Sequence, residues 1–79
     1  MDLDQVLQRL DRFLGTNPVI AGNVYIAPNA TVLGDVSIGP RSSVWFRSVI
    51  RADINVIRIG SETNIQDGSI LHVAIGTVW

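Results

Sequence analysis

The chain has 79 residues, a formal net charge of −1 and no cysteine. A chain of this length forms one domain at most and buries only about 60% of the surface that its unfolded form exposes. The lack of cysteine excludes disulfides, thiol catalysis and thiolate metal sites, and it favours a reducing, cytoplasmic location. The slightly acidic charge argues against a nucleic-acid partner, and no stretch reaches the ~18 apolar residues of a membrane span.

The first fifteen residues predict an amphipathic helix, which we treat as a separate unit, residues 1–15. Asp2 and Asp4 lie in its first turn, where the helix dipole favours anions, and Gly15 ends it. A helix this short is marginal alone, so we expect it to pack against its own domain or a neighbouring subunit. Its apolar residues recur at spacings of three and four; they are Leu3, Val6, Leu7, Leu10, Phe13 and Leu14.

A six-residue repeat of aliphatic residues dominates the second unit, residues 17–79. The repeat slips once, by three residues, between Ile50 and Ile59. A step of six is a multiple of the strand period of two and not of the helical period of 3.6, so it predicts strands. The anchors of the repeat are Ile20, Ile26, Val32, Ile38, Val44, Ile50, Ile59, Ile65 and Leu71.

Turn residues separate these short strands. The pairs are Gly22-Asn23, Pro28-Asn29, Gly34-Asp35 and Pro40-Arg41. A turn at every sixth residue predicts a parallel β-helix with about eighteen residues per coil. The anchors of successive coils stack on one another in such a fold. We expect three ladders, namely Ile20-Ile38-Ile59, Ile26-Val44-Ile65 and Val32-Ile50-Leu71. The slip between Ile50 and Ile59 is interpreted as a bulged corner, and the fold class is all-β with one short N-terminal α-helix.

Several motifs in the second half of the chain resemble the γ-class carbonic anhydrase family. They are Ile50-Arg51-Ala52-Asp53, Arg58-Ile59-Gly60, Thr63-Asn64-Ile65-Gln66-Asp67-Gly68-Ser69 and Leu71-His72-Val73. The resemblance runs from about Asn17 to Val73, roughly the first half of such a domain, and Ala52 stands where the family usually has glycine. The resemblance implies a left-handed wind, contrary to the usual right-handed crossover. It also implies that this β-helix is truncated, because the coils that follow His72 in the family are missing.

Three polar residues directly follow inward-pointing anchors, and alternation along a strand sends them outward. They are Arg51, Gln66 and His72. Because Ile50 and Leu71 share an edge, we expect Arg51 and His72 to lie one coil apart on one outer face.

The resemblance implies a role for each of these residues. His72 would be one of three zinc ligands, with iron or cobalt possible in place of zinc. The other two ligands would come from a later coil, across a subunit boundary in a homotrimer. Gln66 would have the catalytic role of orienting the metal-bound water, and Arg51, Asp53 and Asp67 would form charged contacts at the subunit interface.

The activity implied by the resemblance is the reversible hydration of carbon dioxide to bicarbonate. Three neutral imidazoles leave the metal charge undiminished and lower the pKa of bound water to about 7. This chain offers one imidazole, with only Asp53, Glu62 and Asp67 as nearby carboxylates. We therefore expect a fragment or shortened form with an incomplete metal site and little or no activity of its own.

Two other functions stay open from the sequence. The chain could be a non-catalytic trimeric scaffold of the same family, or a hexapeptide-repeat acyltransferase in which an outward histidine acts as general base. Each site residue also has a purely structural interpretation. His72 would be a solvated surface residue, Gln66 would bond to the turn backbone, and the charged residues would form a surface ion-pair cluster of Arg51, Asp53 and Asp67. Trp45 and Phe46 are interpreted as packing residues at a corner, and Ile75-Gly76 as the opening of an uncompleted coil.

Overall fold

The structure is a computed structural model that describes residues 2–74, and the predicted coil opening at Ile75-Gly76 lies outside them. One helix, α1, spans Leu3–Leu14 and is followed by seven strands. The strands are β1 (Val19–Ile20), β2 (Tyr25–Ile26), β3 (Thr31–Ile38), β4 (Ser43–Val44), β5 (Val49–Ile59), β6 (Asn64–Ile65) and β7 (Ile70–His72). Among residues 2–74, helix α1 is the single helix, and it lacks the length and apolar character of a membrane span.

Helix α1 begins with a capping box. The Asp2 carboxylate accepts a hydrogen bond from the backbone N–H of Gln5 at 2.9 Å, and the Gln5 side chain accepts one from the Asp2 N–H at 3.2 Å. Asp2 is thus the N-cap rather than a first-turn residue, and it satisfies one of the free N–H groups of the helix. Gly15 is the C-cap, as the sequence predicts.

Helix α1 packs against β5 and β3 through only part of its apolar surface. Phe13 is 3% exposed, and the guanidinium carbons of Arg9 and Arg12 lie 5.7 and 4.9 Å from its ring centre. The helix therefore packs against its own chain, one of the two predicted possibilities, and part of its apolar stripe stays uncovered. The leucines that stay exposed are Leu3 (69%), Leu7 (53%) and Leu14 (47%).

The strands form two parallel sheets, with the orders β1-β3-β5-β7 and β2-β4-β6. Their registers confirm all three predicted ladders. Ile20, Ile38 and Ile59 are successive partners, as are Ile26, Val44 and Ile65, and Val32, Ile50 and Leu71. Each coil therefore stacks its anchors on the coil before it, which is the arrangement of a β-helix.

The slip in the repeat is a bulge in β5, as predicted. Gly34 pairs with Ala52 and Val36 pairs with Ile57, so residues 53–56 stand opposite the single residue Asp35. The prediction of a turn at Gly34-Asp35 is wrong, because both residues lie within β3. Gly34 has φ +86°, which allows the chain to bend there without leaving the sheet.

The core lies along the axis of the coils and contains two buried hydroxyls. Ser42 Oγ donates to the Gly60 carbonyl at 2.9 Å, and Ser48 Oγ donates to the Gln66 carbonyl at 2.7 Å. These bonds join neighbouring coils and satisfy polar groups that would otherwise be buried without a partner. The buried apolar residues are Val36, Ile38, Val44, Ile50, Ala52 and Ile59.

Candidate functional site

Arg51 and His72 lie side by side on the outer face of the first sheet. They are register partners on β5 and β7, as the sequence predicts. The Arg51 Nη2 atom lies 2.8 Å from His72 Nε2, which is hydrogen-bonding distance. Both side chains are 46% exposed, so the pair can be reached from solvent or by a partner subunit.

Asp53 completes an outer-face cluster, which we define as Arg51, Asp53 and His72. Its Oδ2 lies 3.4 Å from Arg51 Nε, and its Oδ1 lies 3.8 Å from His72 Nε2. The Asp53 side chain is 17% exposed because it stands at the start of the bulge, after the buried Ala52. Its Oδ1 is buried and has no hydrogen-bond partner among the described residues.

Gln66 and Asp67 lie outside this cluster. They occupy the connection between β6 and β7, and both are exposed. The Gln66 carbonyl accepts the hydrogen bond of Ser48, so its backbone is fixed by the core. Among residues 2–74, Asp67 forms no ion pair. A single chain thus unites three of the five predicted site residues, and the other two face solvent elsewhere.

The described residues do not make a complete metal site. Within residues 2–74, no group of three histidine, cysteine, aspartate or glutamate residues could hold a metal ion. His72 is the single histidine of the chain, and its Nε2 contacts Arg51. Asp53 Oδ1 lies 3.8 Å from that nitrogen. A zinc site with three imidazoles therefore does not fit this chain by itself, in agreement with the count of ligands from the sequence.

Two polar residues in or beside the bulge make contacts that the sequence analysis did not predict: Asn55, which it did not name, and Arg58, which it named only within a family motif. Asn55 Nδ2 donates to the Ala74 carbonyl at 3.3 Å, which ties the bulge to the segment after His72. Arg58 Nη1 lies 3.0 Å from both the carbonyl and the carboxylate of Asp35, the residue opposite the bulge. The signal that could have found them is the slip of three residues, because side chains at a bulge are re-aimed.

The aromatic residues pack at a corner, as expected for Trp45 and Phe46. The Trp45 ring centre lies 5.1 Å from that of Tyr25 and 6.3 Å from that of Phe46. The Trp45 Nε1 donates to Ser43 Oγ at 2.8 Å, and Ser43 Oγ donates to Asn64 Oδ1 at 2.6 Å. This group lies beside the second sheet, whereas the outer-face cluster lies on the first, which agrees with a packing role.

The six-residue repeat of the chain matches a known repeat family. Residues 17–52 match the family model described as bacterial transferase hexapeptide (six repeats). Proteins of this repeat form left-handed β-helices, and the parallel sheets and single short helix agree with that class. The predicted fold, a left-handed parallel β-helix preceded by an α-helix, is confirmed.

Comparison with curated proteins confirms the resemblance to γ-class carbonic anhydrases. The chain is 50% identical over 58 residues to "Gamma carbonic anhydrase 2, mitochondrial" of Arabidopsis thaliana, covering 73% of this chain and 21% of the relative. It is 48% identical over 60 residues to "Carbonic anhydrase" of Geobacillus kaustophilus, covering 76% of this chain and 33% of that protein. It is also 54% identical over 55 residues to "Uncharacterized transferase YtoA" of Bacillus subtilis, covering 70% of this chain and 32% of that protein. The chain thus spans about a third or less of the length of these three relatives.

Proposed function

We propose that this chain is part of a γ-carbonic anhydrase-like zinc protein that hydrates carbon dioxide reversibly. The observation that carries the proposal is the outer-face cluster, which unites three residues of the motifs that resemble that family. Identity of about 50% to relatives named as carbonic anhydrases supports the same function. His72 is the proposed metal ligand of the chain, and Gln66 the proposed catalytic residue.

We propose further that the working site lies between chains of a homotrimer. The described residues provide one imidazole and leave Gln66 and Asp67 away from it. A subunit boundary would supply the missing ligands and bring Asp67 to the charged residues of the cluster. A longer chain with additional coils would be needed, which is consistent with relatives of which this chain covers 21–36%. The metal proposed is zinc, with iron or cobalt as substitutes.

The first prediction is that this 79-residue chain hydrates carbon dioxide poorly or not at all. One imidazole and nearby carboxylates cannot reproduce the charge of a three-histidine zinc site, and carboxylate ligands raise the pKa of bound water. The measurement is stopped-flow hydration with added zinc, on this chain and on a version extended by the coils of a relative. The extended version is expected to be active and to lose activity with His72→Ala.

The matched control for this experiment is Arg41→Ala in the extended chain, because Arg41 pairs with Glu62 and not with the cluster. Fast turnover by the short chain that His72→Ala abolishes would contradict the ligand count. An extended chain without activity would favour the scaffold instead.

Two alternative functions each have one supporting observation. A non-catalytic scaffold agrees with the absence of a three-ligand group within residues 2–74. A hexapeptide acyltransferase agrees with the transferase family model and with the similarity to a protein named as a transferase. An acyl-transfer assay on the extended chain separates the acyltransferase from the scaffold. His72→Ala is the test variant.

The location proposed for the protein is the cytoplasm. The support is the lack of cysteine, which fits a reducing compartment. Three relatives from Arabidopsis thaliana are named as mitochondrial, so the mitochondrion is the competing compartment. Fractionation of source cells, with detection of the native protein in each fraction, tests the two compartments.

A further inference from the structure

Four leucines form a stripe along helix α1 that the coils cover only in part. In a helix with 3.6 residues per turn they fall within about 60° of the circumference, and they extend over about 17 Å. Single exposed leucines are common on protein surfaces, whereas several in one stripe mark an interaction site. Leu10 is partly buried, and the other three are 47–69% exposed. We define the leucine stripe as Leu3, Leu7, Leu10 and Leu14.

The leucine stripe lies beside the face of α1 that packs against the coils. Phe13, the buried residue of the helix, is about 60° around the helix from Leu10, at the near edge of the stripe. Arg9 and Arg12 lie over the Phe13 ring and on its other side, away from the stripe. The packing of α1 against β5 and β3 therefore uses Phe13 and leaves the exposed leucines to be covered by a second surface.

Two aspartates border the leucine stripe on the side away from the coils. Asp4 and Asp11 are exposed and lie about 40–60° around the helix beyond Leu7. Neither has a basic residue three or four positions away, and neither forms an ion pair within residues 2–74. Asp4 suits the first turn, but Asp11 is among the last four residues of the helix, where the helix dipole disfavours an anion. The stability of α1 thus gives no reason for a carboxylate at position 11.

We propose that the leucine stripe and its acidic border bind a basic amphipathic helix of another protein. Leucines at intervals of four, three and four residues form the seam along which two helices pack, so the partner is a helix with an apolar stripe of its own. Lysine or arginine side chains beside that stripe would pair with Asp4 and Asp11. The outer-face cluster lies on β5 and β7, so this inference does not depend on the proposed carbonic anhydrase function.

The acidic border disfavours three other occupants. An antiparallel pair of α1 helices, related by a twofold axis, would bring Asp4 and Asp11 of both copies to one side of the seam, where like charges repel. A helix that binds a membrane surface carries lysine and arginine on its polar face, whereas carboxylates border this stripe. Residues 75–79 of the chain contain no basic side chain, so they do not supply the complementary charge.

The test uses the full 79-residue chain and a labelled synthetic peptide. The probe has three heptads, about 21 residues, with leucine at the a and d positions and lysine at the e and g positions. The matched peptide has glutamate at e and g, and in both peptides the like charges oppose self-pairing. Fluorescence anisotropy should show that the lysine peptide binds about tenfold more tightly than the glutamate peptide, with an affinity that falls as salt rises.

Two variants each remove one part of the proposed surface. Leu7→Ser should weaken binding of the lysine peptide about tenfold, and Asp11→Asn should weaken it about threefold and reduce its salt dependence. Val19→Ser is the apolar control, because Val19 is 69% exposed on β1. Glu62→Gln is the charge control, because Glu62 is an exposed carboxylate between β5 and β6. Both controls should bind as wild type does, and circular dichroism checks that every variant is folded.

Four outcomes would overturn the proposal. The first two are equal binding of the lysine and glutamate peptides, or of neither, and full binding by a folded Leu7→Ser. The third is binding to vesicles of equal parts phosphatidylcholine and phosphatidylglycerol that Leu7→Ser abolishes, which would assign the stripe to a membrane. The fourth is a shift of Leu7→Ser alone towards monomer in sedimentation velocity, which would assign the stripe to a second copy of the chain.

Discussion

Gly34 and Gly22 show how differently one residue type is constrained along the repeat. A Cβ atom on Gly34 would lie 2.0 Å from the carbonyl oxygen of Ala52, its partner on β5. Gly34 also has φ +86°, in the left-handed region that favours glycine. A Cβ on Gly22 would meet nothing within 4 Å. The coil stacking thus requires glycine at position 34, where two backbones approach, and not at position 22.

The prediction at this scale is that Gly34→Ala strongly destabilises the chain and Gly22→Ala does not. The left-handed backbone alone costs about 1–2 kcal/mol for a residue with a side chain, and the clash with backbone adds to it. Gly22→Ala should stabilise by about 0.4–1 kcal/mol, because alanine restricts the unfolded chain. Urea unfolding followed by circular dichroism measures both free energies. Equal values for the two variants would show that the close approach to Ala52 is absent.

Helix α1 is held to the strands by side-chain packing, because it takes no part in the strand pairing. Twelve residues are about the minimum for an isolated helix, so α1 depends on its contact with β5 and β3. Phe13 is its one buried side chain, and the two arginines over the ring extend that contact. The capping box adds to the stability of its first turn but does not hold it against the sheet.

We expect Phe13→Ala to release α1 while the coils stay folded. Removing a buried phenylalanine costs about 3–5 kcal/mol, more than a short helix gains from its cap. Leu7→Ala is the matched control, because Leu7 lies on the same helix and is 53% exposed, and it should change stability by no more than about 0.5 kcal/mol. Hydrogen exchange should show fast exchange of the α1 amides in Phe13→Ala and slow exchange in β3 and β5. Loss of protection in every strand would mean that the helix is part of the folding core.

Across the whole molecule, the small core and the exposed cluster both favour self-association. A chain of 79 residues has limited apolar surface to bury, and three leucines of α1 remain exposed. Arg51 and His72 of the outer-face cluster are each 46% exposed, so a second chain can contact them. The proposed homotrimer would bring Asp67 of one chain to the face of its neighbour that carries Arg51 and Asp53.

The assembly prediction is that the chain sediments as a trimer at micromolar concentration. Asp67→Lys reverses a charge on the proposed interface and should shift the chain towards monomer. Glu62→Lys reverses a charge on an exposed residue that pairs with Arg41, and it should leave the assembly unchanged. A monodisperse wild-type monomer in sedimentation velocity would exclude the trimer, and equal effects of the two substitutions would place the interface elsewhere.

The sequence by itself determined the ladders, the bulge and the helix that ends at Gly15. A β-helix is almost one-dimensional, since each coil contacts only its neighbours, and the spacing of Ile20, Ile38 and Ile59 therefore specifies which residues stack. The same alternation placed Arg51 and His72 on one outer face. The roles of these residues in metal binding and catalysis remain predictions from the resemblance.

Only the tertiary structure decided how the side chains of the site meet. Periodicity gives the direction of a side chain from the strand, but its final contacts depend on rotamers and on neighbours that are distant in sequence. The contact of Arg51 with both Asp53 and His72 is of this kind, as is the partial covering of α1. The turn predicted at Gly34-Asp35 failed for a related reason: pairing with β5 keeps these residues in a strand, although their local sequence favours a turn.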